Sequence, residues 1–84
     1  MSRIWTKIYN DKKIIKDFVY EMDKPFDINH LSIYLIDICD ALDVGCPILL
    51  KKHYQHLYLF NSTRFDITDF VHESGFDYMT IEII

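Results

Sequence analysis

The chain has 84 residues, with nine Lys and Arg against thirteen Asp and Glu, and carries a formal charge of −4. Half of it is hydrophobic and 15% aromatic, with only two Gly and two Pro, a composition that excludes disorder, collagen-like repeats and linker-like low complexity. The length is that of one small domain over residues 1–84, too small for a large enclosed pocket, and the acidic balance argues against a general nucleic-acid binder, which needs basic surface for phosphate.

Residues 2–9 predict a strand, in which Ile4, Thr6 and Ile8 alternate with Arg3, Trp5, Lys7 and Tyr9. This opening has no continuous apolar block and does not read as a secretory signal, and no stretch reaches the ~18 apolar residues of a membrane span. Asn10-Asp11-Lys12-Lys13 is a turn signal, and residues 14–22, rich in Ile, Phe, Val and Tyr, predict the returning strand. Charge selects the register. If paired residue numbers sum to 24, Arg3 faces Glu21 and Lys7 faces Asp17, each pair worth about 0.2–1 kcal/mol. A sum of 23 places Lys7 opposite Lys16. The favoured register puts Ile4, Thr6 and Ile8 on one side, with Tyr20, Phe18 and Lys16, and leaves Trp5 opposite Val19 and Tyr9 opposite Ile15 on the other.

Pro25 breaks the extended pattern and Asp27 suits an N-cap. Leu31, Leu35, Ile38, Cys39 and Leu42 then recur at helical spacing, with Asp37, Asp40 and Asp43 on the opposite side, predicting an amphipathic helix of about four turns. Gly45 stands where a left-handed terminator belongs, and Pro47 prevents continuation. Ile48-Leu49-Leu50 predicts a short strand. Residues 51–60 fit a helical turn first, although Leu57 to Phe60 could be extended. Arg64 to Ile67 predicts a short edge strand, Thr68 or Asp69 caps a helical turn ending near Gly75, and Phe76 to Ile84 closes the chain as a strand with Met79, Ile81 and Ile83 on one face and Tyr78 on the other.

A hairpin, a crossing helix and a final strand predict an α+β domain with one sheet and the helix on one face. The layout resembles the ubiquitin-like β-grasp fold, with Asp69 to Ser74 in the place of the short helical turn before the last strand. A ferredoxin-like or other split α+β sheet is the alternative. The ubiquitin-like family's adenylation chemistry needs a Gly-Gly terminus, and this sequence ends Ile81-Glu82-Ile83-Ile84. The stretches Arg3 to Tyr9, Thr63-Arg64-Phe65 and Phe76 to Glu82 also resemble a group of small uncharacterised proteins of anaerobic Firmicutes. That resemblance implies a bacterial, cytoplasmic setting and no mechanism.

His53 and His56, three apart, could share a metal on a helix, but no third or fourth ligand clusters near them in sequence. Solvated histidines are the plainer expectation, and neither a metal nor a cofactor is assigned. Cys39 and Cys46 lack CxxC spacing, which argues against a redox pair. The helix aspartates fit a solvated face better than acid–base work, which needs burial. No glycine-rich phosphate loop and no Ser-His-Asp spacing is present, so no catalytic residue is assigned and no enzymatic activity is expected. Lys51, Lys52 and His53 with Tyr54 and Tyr58 form one basic, aromatic patch, which makes weak nucleic-acid binding an alternative. The sheet face turned away from the helix would carry Trp5, Tyr9, Ile15, Val19 and Tyr78 among charges, a composition suited to partner contacts. The expected function is therefore a non-enzymatic protein-interaction module that self-associates through that face, with a metal- or ligand-binding domain at His53 and His56 as a further alternative.

Overall fold

Strands β1 (Ser2–Asn10) and β2 (Lys13–Met22) form the hairpin from which the domain is built. The computed structural model describes residues 2–71 and 75–84. The predicted register holds from Ser2 opposite Met22 through Ile8 opposite Lys16, including both ion-pair positions. It then slips by one, so that Tyr9 faces Ile14 rather than Ile15. The cause lies in the turn. Asp11 and Lys12 both adopt positive φ, 52° and 65°, as a two-residue hairpin loop requires. That loop pairs Asn10 with Lys13, whereas the apolar pattern and the charges fix the other register in the body. One extra residue, Ile15, absorbs the difference as a bulge.

Asp27 caps the chain as predicted, its Oδ1 accepting from the Asn29 N–H at 3.0 Å, but the turn it caps is a 3-10 turn, Ile28–His30, that leads into helix α1 (Leu31–Leu42). The five predicted apolar positions of α1 are all buried. Asp43, and not Gly45, is the left-handed terminator, at φ 57°. Val44 N–H donates to the Cys39 carbonyl and Asp43 N–H to that of Asp40, which satisfies the last carbonyls by the usual paired closure. Aspartate is among the few side chains that tolerate this conformation.

Ile48-Leu49-Leu50 is not a strand. Pro47 makes an isolated bridge to Phe70, and Leu50 is already the N-cap of helix α2 (Lys51–Phe60). Its N–H donates to Nδ1 of His53 at 2.9 Å, so the residue that looked like a strand end is the closed entrance of a helix. α2 is continuous, and its last residues are helical rather than extended. Asn61 ends it at φ 56° and leads into β3 (Ser62–Asp66), the expected short edge strand. A 3-10 turn, Ile67–Asp69, follows with Asp66 at its N-cap. The helical turn expected to end near Gly75 lies partly outside the described residues. β4 (Tyr78–Ile83) closes the sheet.

The sheet order is β2-β1-β4-β3, and every neighbouring pair is antiparallel. The first and last strands are thus central neighbours and run antiparallel. The architecture is a small α+β domain: one four-stranded sheet, with α1 over β2 and α2 over β3. Ile4, Ile8, Phe65, Met79 and Ile81 meet Leu31, Leu35, Ile38 and Leu57 in the single core. Each such side chain contributes about 1.5–3 kcal/mol by leaving water. No helix among the described residues is long and apolar enough to cross a membrane.

Candidate interaction surface

Strand alternation divides the sheet cleanly. Ile4, Thr6 and Ile8 sit at 0% exposure under the helices, so the intervening Trp5, Lys7 and Tyr9 lie on the opposite face. Trp5, Lys7, Tyr9 and Tyr78 are half-buried there, and Val19 beside Trp5 is 40% exposed. Trp5 is opposite Val19 on one side and Glu82 on the other, and Tyr9 is opposite Ile14 and Tyr78. The face has two apolar ends separated by a polar row, Asp17, Lys7 and Thr80.

At the turn end the Tyr9 and Tyr78 rings stack with centroids 4.7 Å apart, and the Arg64 guanidinium lies 5.1 Å from the Tyr78 ring. Ile14 and Ile15 are each 50% exposed beside them. The turn is tied down here: Asp77 Oδ2 accepts from the Asp11 N–H at 2.9 Å, and Asp77 N–H donates to the Tyr9 carbonyl. At the other end Lys7 Nζ sits 4.2 Å above the Trp5 ring, and the indole N–H donates to Asp17 Oδ2 at 3.2 Å. These contacts hold the indole flat against a charged row instead of in the core. The five residues named from sequence are therefore all on one side or at its margin, with Ile15 in the bulge and Ile14 as the direct partner of Tyr9.

The histidines part company. His53 is fully buried. Its Nδ1 accepts from Leu50 N–H, so the ring proton belongs on Nε2, which faces Asp69 Oδ2 at 3.3 Å. Burial lowers its pKa from 6.5, against the opposing pull of Asp69. His56 turns toward Thr63 Oγ1, 3.4 Å away. Both nitrogens of His53 are thus engaged inside the protein, and the two imidazoles do not converge. Among the described residues no group of three or more His, Cys, Asp or Glu side chains could hold a metal. Asp69, 4% exposed, also accepts from the Asp66 N–H at 3.0 Å and lies 3.6 Å from Lys52 Nζ. It is the hub of a buried polar cluster joining α2 to the turn after β3.

That cluster also breaks up the basic, aromatic patch. Lys52 points to Asp69 and His53 to the core, while Lys51, Tyr54 and Tyr58 line an open groove of about 880 Å³ with Ile28 and Leu59. Burial, with the Cys46 thiol as a further cause, pushes the Cys39 thiol up to about 12 and keeps it protonated. The fold therefore brings close two thiols whose spacing gave no sign of it. Asp37, on the outer side of α1, accepts from the Tyr20 hydroxyl at 2.8 Å, which raises the Tyr20 pKa. Asp40 and Asp43 are exposed.

The sequence reading missed the apolar outer surface of the helices. Tyr58 is 84% exposed and Leu59 and Phe60 are each 66% exposed. Ile33 and Ile36, on the far side of α1 from its core stripe, are 55% and 59% exposed. The signal was present as apolar residues off the core-facing helical phase. No protein-family model matches this chain, and neither a curated protein nor a solved structure matches it.

Proposed function

We propose that this chain is a non-enzymatic protein-interaction module that pairs with a second copy of itself through the outer face of its sheet. One observation carries the reading: Trp5, Tyr9 and Tyr78 lie with Val19 and Ile14 on the sheet face turned away from the core and the helices. Aromatic rings interleaved with opposite charges suit a contact surface, since the rings supply area and the charges fix orientation. The bulge at Ile15 adds apolar surface beside the stacked tyrosines. A bacterial cytoplasm is the setting that goes with this reading. The likeness to ubiquitin-like modules is a resemblance of layout and lends no chemistry.

Mass in solution tests the proposal. The wild type is expected to gain mass with rising concentration, and Trp5→Glu, which places a charge on the outer face without touching the core, is expected to weaken association through that face at least ten-fold. A wild type that stays monomeric at millimolar concentration, or a substituted protein that associates equally well, would overturn it.

A further inference from the structure

The helix layer carries a second exposed apolar surface, independent of the sheet face, and its charges are divided between the two helices. α2 contains Lys51 and Lys52 and no acidic residue, and its exposed side offers Tyr58 and Leu59. α1 contains Asp37 and Asp40 and no basic residue, and its exposed side offers Ile33 and Ile36. Lys52 is taken up by Asp69 and Asp37 by the Tyr20 hydroxyl, which leaves Lys51 on α2 and Asp40 on α1 as charges of opposite sign beside these apolar side chains.

From this complementarity we infer a second self-association site, in which α1 of one copy packs on α2 of another. Because both helices cover the same sheet face, a two-fold axis brings α1 onto α2 and α2 onto α1 together, a closed and self-complementary arrangement. The open groove beside Tyr54, Tyr58 and Leu59, with Ile28 on its other wall, is where Ile33 and Ile36 of the second copy insert. Asp40 then approaches Lys51. With a sheet-face contact on one side and a helix-layer contact on the other, the wild type assembles beyond the dimer.

The inference does not rest on the sheet-face reading, and the test separates them. In a Trp5→Glu background the chain is expected to remain dimeric through its helices, and adding Leu59→Glu, at a position already 66% exposed, is expected to make it monomeric with an unchanged circular dichroism spectrum. Lys51→Glu and Asp40→Lys, each in that background, are expected to weaken the dimer on the order of ten-fold, because each reversal acts at both symmetry-related contacts. An equimolar mixture of those two variants is expected to associate more tightly than either alone, since each supplies the charge the other lacks. A Trp5→Glu chain that is already monomeric, a mass that Leu59→Glu leaves unchanged, or a mixture no tighter than its components overturns the inference. Loss of the Trp5→Glu effect alone overturns only the sheet-face reading.

Discussion

Removing the Asp69 carboxylate tests whether the buried cluster holds α2 in place. Its Oδ2 accepts two hydrogen bonds, from Asp66 N–H at 3.0 Å and from the His53 ring at 3.3 Å. Asp69→Ala strands both donors in a site only 4% exposed. At about 1–3 kcal/mol for each buried donor left unpaired, the loss is roughly 2–6 kcal/mol, a large part of the ~5–15 kcal/mol that holds a domain together. Asp69→Asn is the informative contrast. With its amide oxygen at the Oδ2 position it keeps both bonds and gives up only the ion pair with Lys52, which is 47% exposed and contributes about 0–1 kcal/mol. Urea unfolding followed by circular dichroism should show the alanine variant destabilised several times more than the asparagine variant, with unchanged slopes. An alanine variant that loses less than about 1 kcal/mol, or an asparagine variant as unstable as the alanine one, would refute the hydrogen-bond account of the cluster.

Three further expectations follow from single groups. His53 is held neutral, with its pKa below 6.5, so below that pH the unfolded chain binds a proton that the folded chain refuses, and stability falls as pH drops. The slope reaches at most ~1.4 kcal/mol per pH unit, and His53→Gln, which keeps a side-chain acceptor for the helix entrance, should flatten it in unfolding curves between pH 7 and 5. Thr6 is fully buried, and its hydroxyl has no hydrogen-bond partner among the described residues. Thr6→Val keeps the shape and removes the unsatisfied oxygen, and should stabilise by about 1 kcal/mol, or ~4–8 °C in Tm; a lower Tm would mean that the hydroxyl has a partner. Asp43 terminates α1 at φ 57°, and Asp43→Gly should raise Tm by a few degrees through relief of the left-handed conformation, whereas a loss would show that the aspartate side chain contributes more than its backbone costs.

Most of the fold is legible in the sequence because its signals are local. The hairpin register follows from two opposite-charge pairs, α1 from five apolar residues at one helical phase, and β4 from strict alternation. The bulge at Ile15 was hidden because it arises from a conflict between the loop and the strand bodies, each of which reads correctly alone. α2 was half seen, since its entrance depends on His53 folding back onto the Leu50 amide and its buried side on a partner, Asp69, sixteen residues away. Composition cannot announce such a pairing, and so His53 read as a solvated group or a ligand instead of a core residue. The outward placement of Trp5 and Tyr9 was legible, because one register fixes the side of every residue in the strand. Which helix residues remain exposed was not, because it depends on how α1 and α2 lie on the sheet.

The single tryptophan, Trp5, reports directly on the surface at the centre of this account. Its emission and its quenching by acrylamide should depend on protein concentration, with a blue shift and reduced quenching as the outer face becomes covered by a second copy. Emission and quenching that stay constant from micromolar to millimolar protein would show that the indole remains open to water, and would contradict the proposed contact.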